Sequence, residues 1–345
     1  MSETDQAPRK GLLGSPSPTL HDVAQTAGVS HTTVSLALKN DPRITPSTRE
    51  KVIEAARLLG YVPNETARGL VRYRTGTLAV VCASFSSAYE AEVLRGIEHE
   101  MRTHHPDFGL VQYSTGGHPS RADEVHRRIL RGNIADAIIC LDDPPEVTVV
   151  EAYRQIKKPL VVFTEGMDET SWVHCDGRLG ATLGTQALLD SGCQAPWIVT
   201  SRFQNGQPHC DPERWEVFTN LCQGAGVKPR VIEIDNLDFD SGKALAARLQ
   251  GQTDGVFCAG GDLVAIGLMS GFRDLGVAIP QSVKIVGYDG LAISSMVNPG
   301  LTTVAQPLEE MGRQAVQFCF SLLTNFAPTP LSRLFEPVLV RRKTT

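Results

Sequence analysis

No run of about eighteen apolar residues occurs in the 345-residue chain, which leaves no segment with the length and hydropathy of a membrane-crossing helix. The opening MSETDQAPRK places acids before its only basic pair and lacks the apolar core of a secretory signal, so a cytoplasmic location is expected. Cys-x-x-Cys spacing is missing too. The eight cysteines (Cys82, Cys140, Cys175, Cys193, Cys210, Cys222, Cys258, Cys319) stand singly, several in apolar runs such as LAVVCAS and AIICL. Such cysteines behave as small hydrophobes, and buried, reduced thiols are expected. Enzyme signatures are likewise absent. No strand-like run is followed by Gly-x-Gly-x-x-Gly, no Gly-x-Ser-x-Gly is found, and Ser241-Gly242-Lys243-Ala244 lacks the earlier glycine and final Ser or Thr of a phosphate loop. The His104-His105 and Asp142-Asp143 pairs have no further ligands at metal spacing and read as solvated loop residues. Neither a metal nor a cofactor nor a catalytic activity is expected.

Positive charge in excess is also missing, except at the front. The chain carries −5 overall, but residues 1–75 hold ten Lys plus Arg against seven acids, while the remainder holds 23 against 31. Only the front suits a polyanion; the rest would be repelled by one.

What is present begins at Thr19. In TLHDVAQTAGVSHTTVSLALK, Leu20, Val23, Ala24 and Ala27 recur at helical spacing on one face, and Thr19 with Asp22 forms a capping pair. Gly28 stops this helix and Val29-Ser30 leaves almost no linker, so a second helix is expected from Ser30 with Val34, Ala37 and Leu38 inward. Its remaining surface, including His31, Thr32, Thr33, Ser35 and Leu36, is short or polar, as a helix entering a major groove about 12 Å wide must be. Thr45 caps a third helix with Pro46 at its first position, and Val52, Ala56 and Leu59 point inward before Gly60. A helical hairpin in an ordinary core would also fit the first two helices.

The segments DVAQTAGVSHTTVS and TREKVIEAARLLGYVPNETARGL together resemble the headpiece of the lactose-repressor (LacI/GalR) family of bacterial transcription regulators, without a gap from Leu20 to Leu70. The resemblance implies base contacts from His31, Thr32 and Leu36, and phosphate contacts from Thr33, Asn40, Thr45 and Thr48, which fix register but read no sequence. It also implies that the segment from Asn64 to Val71 is a hinge helix. Leu70, with Ala67 beside it, would wedge into the minor groove. Eight residues containing Gly69 are too few to hold a helix alone, so this segment should order only when something packs on it. Where the family often has arginine, this chain has Leu36. Leucine cannot fork onto guanine O6 and N7 and can meet only a thymine methyl.

From Thr77 the pattern changes to apolar runs alternating with helical segments: LAVVCA, GLVQYS, DAIICL, PLVVFT and VHC with helices between, ending in helix 178–191. A second series follows from Pro196: WIVT, RVIEI, DGVFCA and VKIVGYD, closing with helix 307–323. This predicts two parallel, doubly wound α/β sheets in tandem with ligands bound between them at the carboxyl ends of the strands. The bilobed body is similar to the family's effector domain, itself similar to periplasmic sugar-binding proteins. On that resemblance Arg214, in Asp211-x-x-Arg214-x-x-Val217-Phe218, and Asp289, after VKIVGY, face the ligand. Asp262 is a weaker candidate that caps its helix, and Gly261 stands where the family usually has asparagine, so one polar contact is missing. Thr164 ends PLVVFT. Phe85, Tyr89 and Trp172 lie after strand ends, where a flat ring can stack on a sugar or simply pack in the core.

The expected organisation is a disordered tail (1–18), a small all-α helix-turn-helix domain (19–62), a hinge helix and linker (63–76), and a bilobed effector-binding and dimerisation domain (77–345). The expected function is sequence-specific transcription regulation, in the sense of repression. A homodimer would bind a palindromic double-stranded DNA operator, with affinity set by a small-molecule effector, expected to be a sugar. Terminal heptads are missing, so a dimer is expected rather than a tetramer. Residues 77–345 alone would also suit a solute-binding protein of a transport system.

Overall fold

The computed structural model describes residues 18–61, 74–141, 144–164, 169–201, 213–324 and 330–345. Several expectations lie outside these residues: the tail, the hinge with Asn64, Ala67 and Leu70, the Asp142-Asp143 pair, Cys210 and Asp211. The chain divides into two compact units, Met1–Thr75 and Gly76–Thr345.

In the first unit the capping pair forms as expected. Asp22 Oδ2 accepts from the Thr19 N–H at 2.7 Å, the Thr19 hydroxyl accepts from Asp22 N–H at 3.4 Å, and α1 runs Leu20–Ala27. Gly28 ends it at φ 65°, a conformation glycine reaches without steric cost. Ser30 is the cap of the next helix rather than its first residue, accepting from Thr33 N–H at 3.2 Å, so α2 spans His31–Leu38. Thr45 caps α3, Pro46–Leu59. The three helices bury Val23, Ala24, Val34, Ala37, Val52, Ala55 and Ala56 together, with Leu20, Leu38 and Leu59 packed at the edges. These are mostly small side chains, so the helices approach closely around a modest core.

The second unit holds two sheets. Its elements run β1 (Thr77–Cys82), α4 (Ala88–His104), β2 (Gly109–Ser114), α5 (Pro119–Gly132), β3 (Ala137–Cys140), α6 (Val147–Gln155), β4 (Leu160–Val162), β5 (Ser171–Cys175) and α7 (Gly177–Asp190). They continue β6 (Pro196–Ser201), α8 (Glu213–Gly224), β7 (Arg230–Ile234), α9 (Phe239–Leu249), β8 (Gly255–Cys258), α10 (Asp262–Asp274) and β9 (Lys284–Asp289). The short α11 (Ile293–Met296), β10 (Thr302–Ala305), α12 (Leu308–Leu323), β11 (Ser332–Phe335) and β12 (Val338–Val340) complete it. The strand orders among the described residues are β11-β5-β4-β3-β1-β2 and β12-β10-β9-β8-β6-β7.

The strict tandem order does not hold. Helix α7 follows β5 of the first sheet but packs on the second, where Ala181, Ala187 and Leu188 meet Phe257 and Tyr288. Gly180 and Gly184 leave the room for those two rings, since a Cβ at either position would run into Tyr288 or Phe257. Helix α12 follows β10 of the second sheet but returns to the first, burying Met311, Ala315, Val316 and Cys319 against Leu78, Val80 and Ile97. There α12 meets α4 at glycines, because a Cβ on Gly96 would collide with the Glu309 carbonyl and one on Gly312 with that of Val93. β11 then adds to the first sheet, and β12 pairs antiparallel with β10, departing from an all-parallel sheet. The expectation failed because apolar periodicity marks a buried face without saying which sheet it covers.

Both faces of each sheet are covered. In β1, Leu78, Val80 and Cys82 face α4 and α12, while Ala79 and Val81 face α5 and α6. The seven described cysteines are all buried and free. Of the two histidines expected in a solvated loop, His104 is exposed but is the last residue of α4, 3.2 Å from Glu100 Oε1, and His105 is half-buried, stacked on Phe320 at 3.3 Å between centroids. Among the described residues no helix is long and apolar enough to cross a membrane.

Behind the first sheet, fully buried His126 sits edge-on to Tyr153, with Nδ1 3.1 Å from the phenol oxygen. Burial pushes its ring down to about 4. The unfolded chain therefore binds a proton that the folded chain refuses between about pH 6.5 and 4, so stability is present above that window and is lost as pH falls through it. Taking pH from 7 to 4 should cost this unit about 3 kcal/mol through His126. Urea unfolding across that range checks this; in His126→Gln the acid-side loss should shrink, and an unchanged pH dependence refutes the assignment.

Candidate functional site

Helix α2 presents its first turn to solvent. His31 and Thr32 are exposed, Thr33 and Leu36 half-buried, and Val34 and Ala37 fully turned to the core. No charged residue lies between His31 and Leu38. Thr33 also shares a 2.9 Å hydroxyl contact with Ser30, so its side chain is partly committed to the cap. Asn40 holds φ 58°, and Thr45 donates its hydroxyl to Thr48 at 2.9 Å while accepting from the Thr48 N–H. Thr33 thus stands in the first turn of α2, Asn40 in the turn that follows it, and Thr45 and Thr48 at the start of α3, where phosphate-contacting groups were expected.

Two arginines stiffen the same turn. Arg43 grips Asp41 through Nε and Nη2, both at 2.9 Å, and Arg49 Nη2 donates to the Asp41 carbonyl at 2.8 Å. The Arg43 side chain and its backbone N–H hold the Asp41 carboxyl down at about 2. Sequence reasoning missed His21. It is exposed on α1, and its Nδ1 lies 3.1 Å from His31 Nε2. The signal was there in the spacing, since a tight Gly28-Val29-Ser30 turn brings the start of α2 back across α1.

In the second unit Arg214 and Asp289 come together. Arg214, the second residue of α8, lays its guanidinium 3.8 Å over the buried Tyr288 ring and donates Nη1 to the Ala259 carbonyl at 2.9 Å. Asp289 closes β9 at φ 94° and accepts from Gln306 Nε2 at 2.9 Å. Burial raises the Asp289 carboxyl, while the Arg214 charge and the Gln306 hydrogen bond pull it back. Tyr89 enters from the opposite lobe, in the first turn of α4. Burial raises its phenol, and the charges of Asp289 and Arg214 both act on it. Cys175, at the end of β5, is pushed up to about 12 by burial and also feels Arg214 and Asp289. A cation, an anion and a phenol thus converge where the lobes meet, and Phe85 is 59% exposed in the loop after β1.

The remaining candidates do not join this group. Trp172 lies within β5 rather than after a strand end; it is half-buried beside Val162 of β4, against the apolar cluster on the sheet face opposite Tyr89, the core packing weighed for it. Thr164 is exposed just beyond β4. Asp262 does not cap its helix, since Gly261 occupies the cap position without a side chain. Its fully buried carboxylate accepts from Leu291 N–H at 2.7 Å, Ser294 Oγ at 2.6 Å and Thr303 Oγ1 at 2.6 Å. Burial, followed by the nearby Asp289 charge, lifts it to about 7. Gly261 is explained by the same neighbourhood. It holds φ 120°, and a Cβ there would stand 2.9 Å from Asp289 Oδ2. The room of a missing side chain is taken by the carboxylate itself.

Gly261→Asn therefore combines a strained backbone with a crowded carboxylate and should destabilise this unit by about 1–3 kcal/mol. Thermal melts of the variant check it; unchanged stability shows that the position tolerates asparagine.

Comparison with known proteins bears on both sites. Residues 19–64 match the family described as bacterial regulatory proteins, lacI family, and residues 185–345 match the periplasmic binding protein-like domain. The chain is 30% identical over 346 residues to the HTH-type transcriptional regulator CelR of Thermobifida fusca, covering 94% of this chain and 98% of that one. It is 29% identical over 312 residues to catabolite control protein A of Priestia megaterium, covering 89% and 92%. Among solved structures, a CelR–cellobiose complex aligns with a TM-score of 0.66 at 25% identity, covering 95% and 100%. The lac repressor dimer bound to operator and an anti-inducer aligns at 0.79 with 21% identity, covering 95% and 99%.

Proposed function

The chain belongs to the lacI family of bacterial regulatory proteins, and from that premise we propose that it represses transcription as a homodimer bound to a palindromic operator. Its family consists of transcription regulators rather than enzymes. The match of residues 19–64 sets aside the solute-binding protein that the rest of the chain would suit alone. A regulator of this kind works on the chromosome, hence in the cytoplasm. The observation that carries the reading is the uncovered first turn of α2 on a packed three-helix body. A two-fold pair of such helices fits two half-sites about one helical turn apart. His31, Thr32 and Leu36 would read base edges, Thr33, Asn40, Thr45 and Thr48 would fix register on phosphates, and Asn64, Ala67 and Leu70 would make the hinge contacts.

The effector would sit against Arg214, Asp289 and Tyr89, with Phe85 as an apolar face. Fixed guanidinium donors opposite a carboxylate acceptor suit a neutral polyhydroxyl molecule, and a carbohydrate is the class proposed. Trp172, Gly261 and Asp262 contribute framework rather than contacts, and Thr164, exposed just beyond β4, stays a candidate contact. A ligand that favours one arrangement of the lobes shifts DNA affinity by its differential binding, about 1–3 kcal/mol in typical cases.

Selection of duplexes from a random pool with the full-length protein should return a palindrome lacking the guanine that arginine at position 36 would read. In Leu36→Arg that guanine should gain about 1–3 kcal/mol of preference. Fluorescence anisotropy across a sugar panel should find one that shifts operator affinity, and Arg214→Ala should abolish the shift. Equal, weak retention of selected and random duplexes at moderate salt sinks the reading.

A further inference from the structure

His21 and His31 face each other across the turn joining α1 to α2, with ring centroids 5.2 Å apart, planes tilted by 47° and the facing nitrogens 3.1 Å apart. Both side chains are exposed, and water could serve every ring nitrogen, so the contact is not a burial requirement. Its consequence is for protons. A neutral imidazole carries one N–H and one bare nitrogen. If His21 donates, His31 has its hydrogen on Nδ1; if His31 donates from Nε2, its Nδ1 is bare. When the pair takes up one more proton, one hydrogen stays between the rings and both outer nitrogens, His21 Nε2 and His31 Nδ1, carry one. The outer nitrogen of His31 is then a donor whichever neutral form came first.

A donor at that place fits the acceptors of the major groove, purine N7, guanine O6 or thymine O4. The added charge is shared over two rings on a surface meant for a polyanion. Few other charges intervene. Asp22, next to His21 on α1, feels that ring, but its oxygens are tied to Thr19. α2 carries no charged residue, and the hollow that contains both rings is otherwise lined by Ala24, Gln25, Gly28, Val29 and Ser30, with nothing titratable and nothing from α3.

We propose that His21 and His31 act as one proton-sharing unit, in which His21 is a positioning residue that sets His31 Nδ1 as a donor toward a base edge, and operator binding takes up a proton. The inference rests on the DNA-reading role of α2. It accounts for the presence of two facing imidazoles where one would satisfy a simple contact.

The test uses full-length protein and a selected duplex, with anisotropy from about pH 5.5 to 8. Affinity should rise as pH falls, by at most about tenfold per pH unit for one proton. His21→Phe keeps an aromatic ring and removes the nitrogens. It should flatten this slope and relax preference at the base pair read by His31, and His31→Phe should flatten the same slope, with no further loss in the double variant. Uniformly weaker binding by His21→Phe, with the wild-type slope and base preference, reduces His21 to a packing residue and overturns the proposal. Failure of the wild type to distinguish selected from random duplex overturns the DNA-reading role instead, and the pair's function with it. Ring-nitrogen NMR of the wild type gives a variant-free readout: one hydrogen should lie between His21 Nδ1 and His31 Nε2, and facing nitrogens without that shared hydrogen refute the sharing.

Discussion

The body of this protein is constrained by a chain that crosses between its two sheets three times. It leaves the first at Asp176, returns through Gln306 and Pro307, and leaves again at Glu336 and Pro337. Neither sheet is built from one continuous stretch of chain, because α12 and β11 of the first follow β10 of the second, and β12 of the second follows β11. The crossings are tied down. Asp176 caps α7 by accepting from Leu179 N–H at 2.8 Å, and its own N–H donates to the Phe335 carbonyl at 2.8 Å, so the first crossing is bonded to the end of β11. The second is bonded to the end of β9, since Gln306 donates from its backbone and its side chain to Asp289.

That linkage gives the candidate effector site its physical character. Among the described residues there, Asp289 is at once a strand end, a strained backbone position and a hydrogen-bond acceptor from a crossing segment. Its charge is held by Arg214 in the same lobe and sensed by Tyr89 in the other. A molecule inserted among them exchanges water for fixed donors and acceptors, and any preference for one lobe arrangement is felt at the crossings. Asp262, one step behind, plays a different part. Three short hydrogen bonds hold β10, α11 and the loop after β9 around it, and Gly287 leaves space for its carboxylate. It builds the wall against which Asp289 stands.

The headpiece solves a different problem with smaller means. Its core is mostly alanine and valine, so its definition comes from its ends: three side-chain caps, two left-handed glycines and an arginine-stiffened turn between α2 and α3. Caps and turns of this kind are each worth about 1 kcal/mol, a large share of the stability of so small a unit. They also fix the direction in which the first turn of α2 points, where His31 and Thr32 are exposed and His31 meets His21 of α1.

The sequence by itself determined the local elements, because their causes are local. Thr19 with Asp22, Pro46 after Thr45, Gly28 and Gly60 set helix ends through bonds made within four residues, and the apolar runs from Thr77 set the strands. Arg214 and Asp289 were legible as ligand candidates through family motifs, although not their shared neighbourhood with Tyr89. Tertiary structure alone decided which sheet α7 and α12 cover, that Asp262 is walled in, that Trp172 faces the core and that Gly261 yields its space to Asp289. Each of these depends on contacts between residues far apart in the chain or on opposite sides of a turn, where periodicity marks a face as buried but carries no information about its partner.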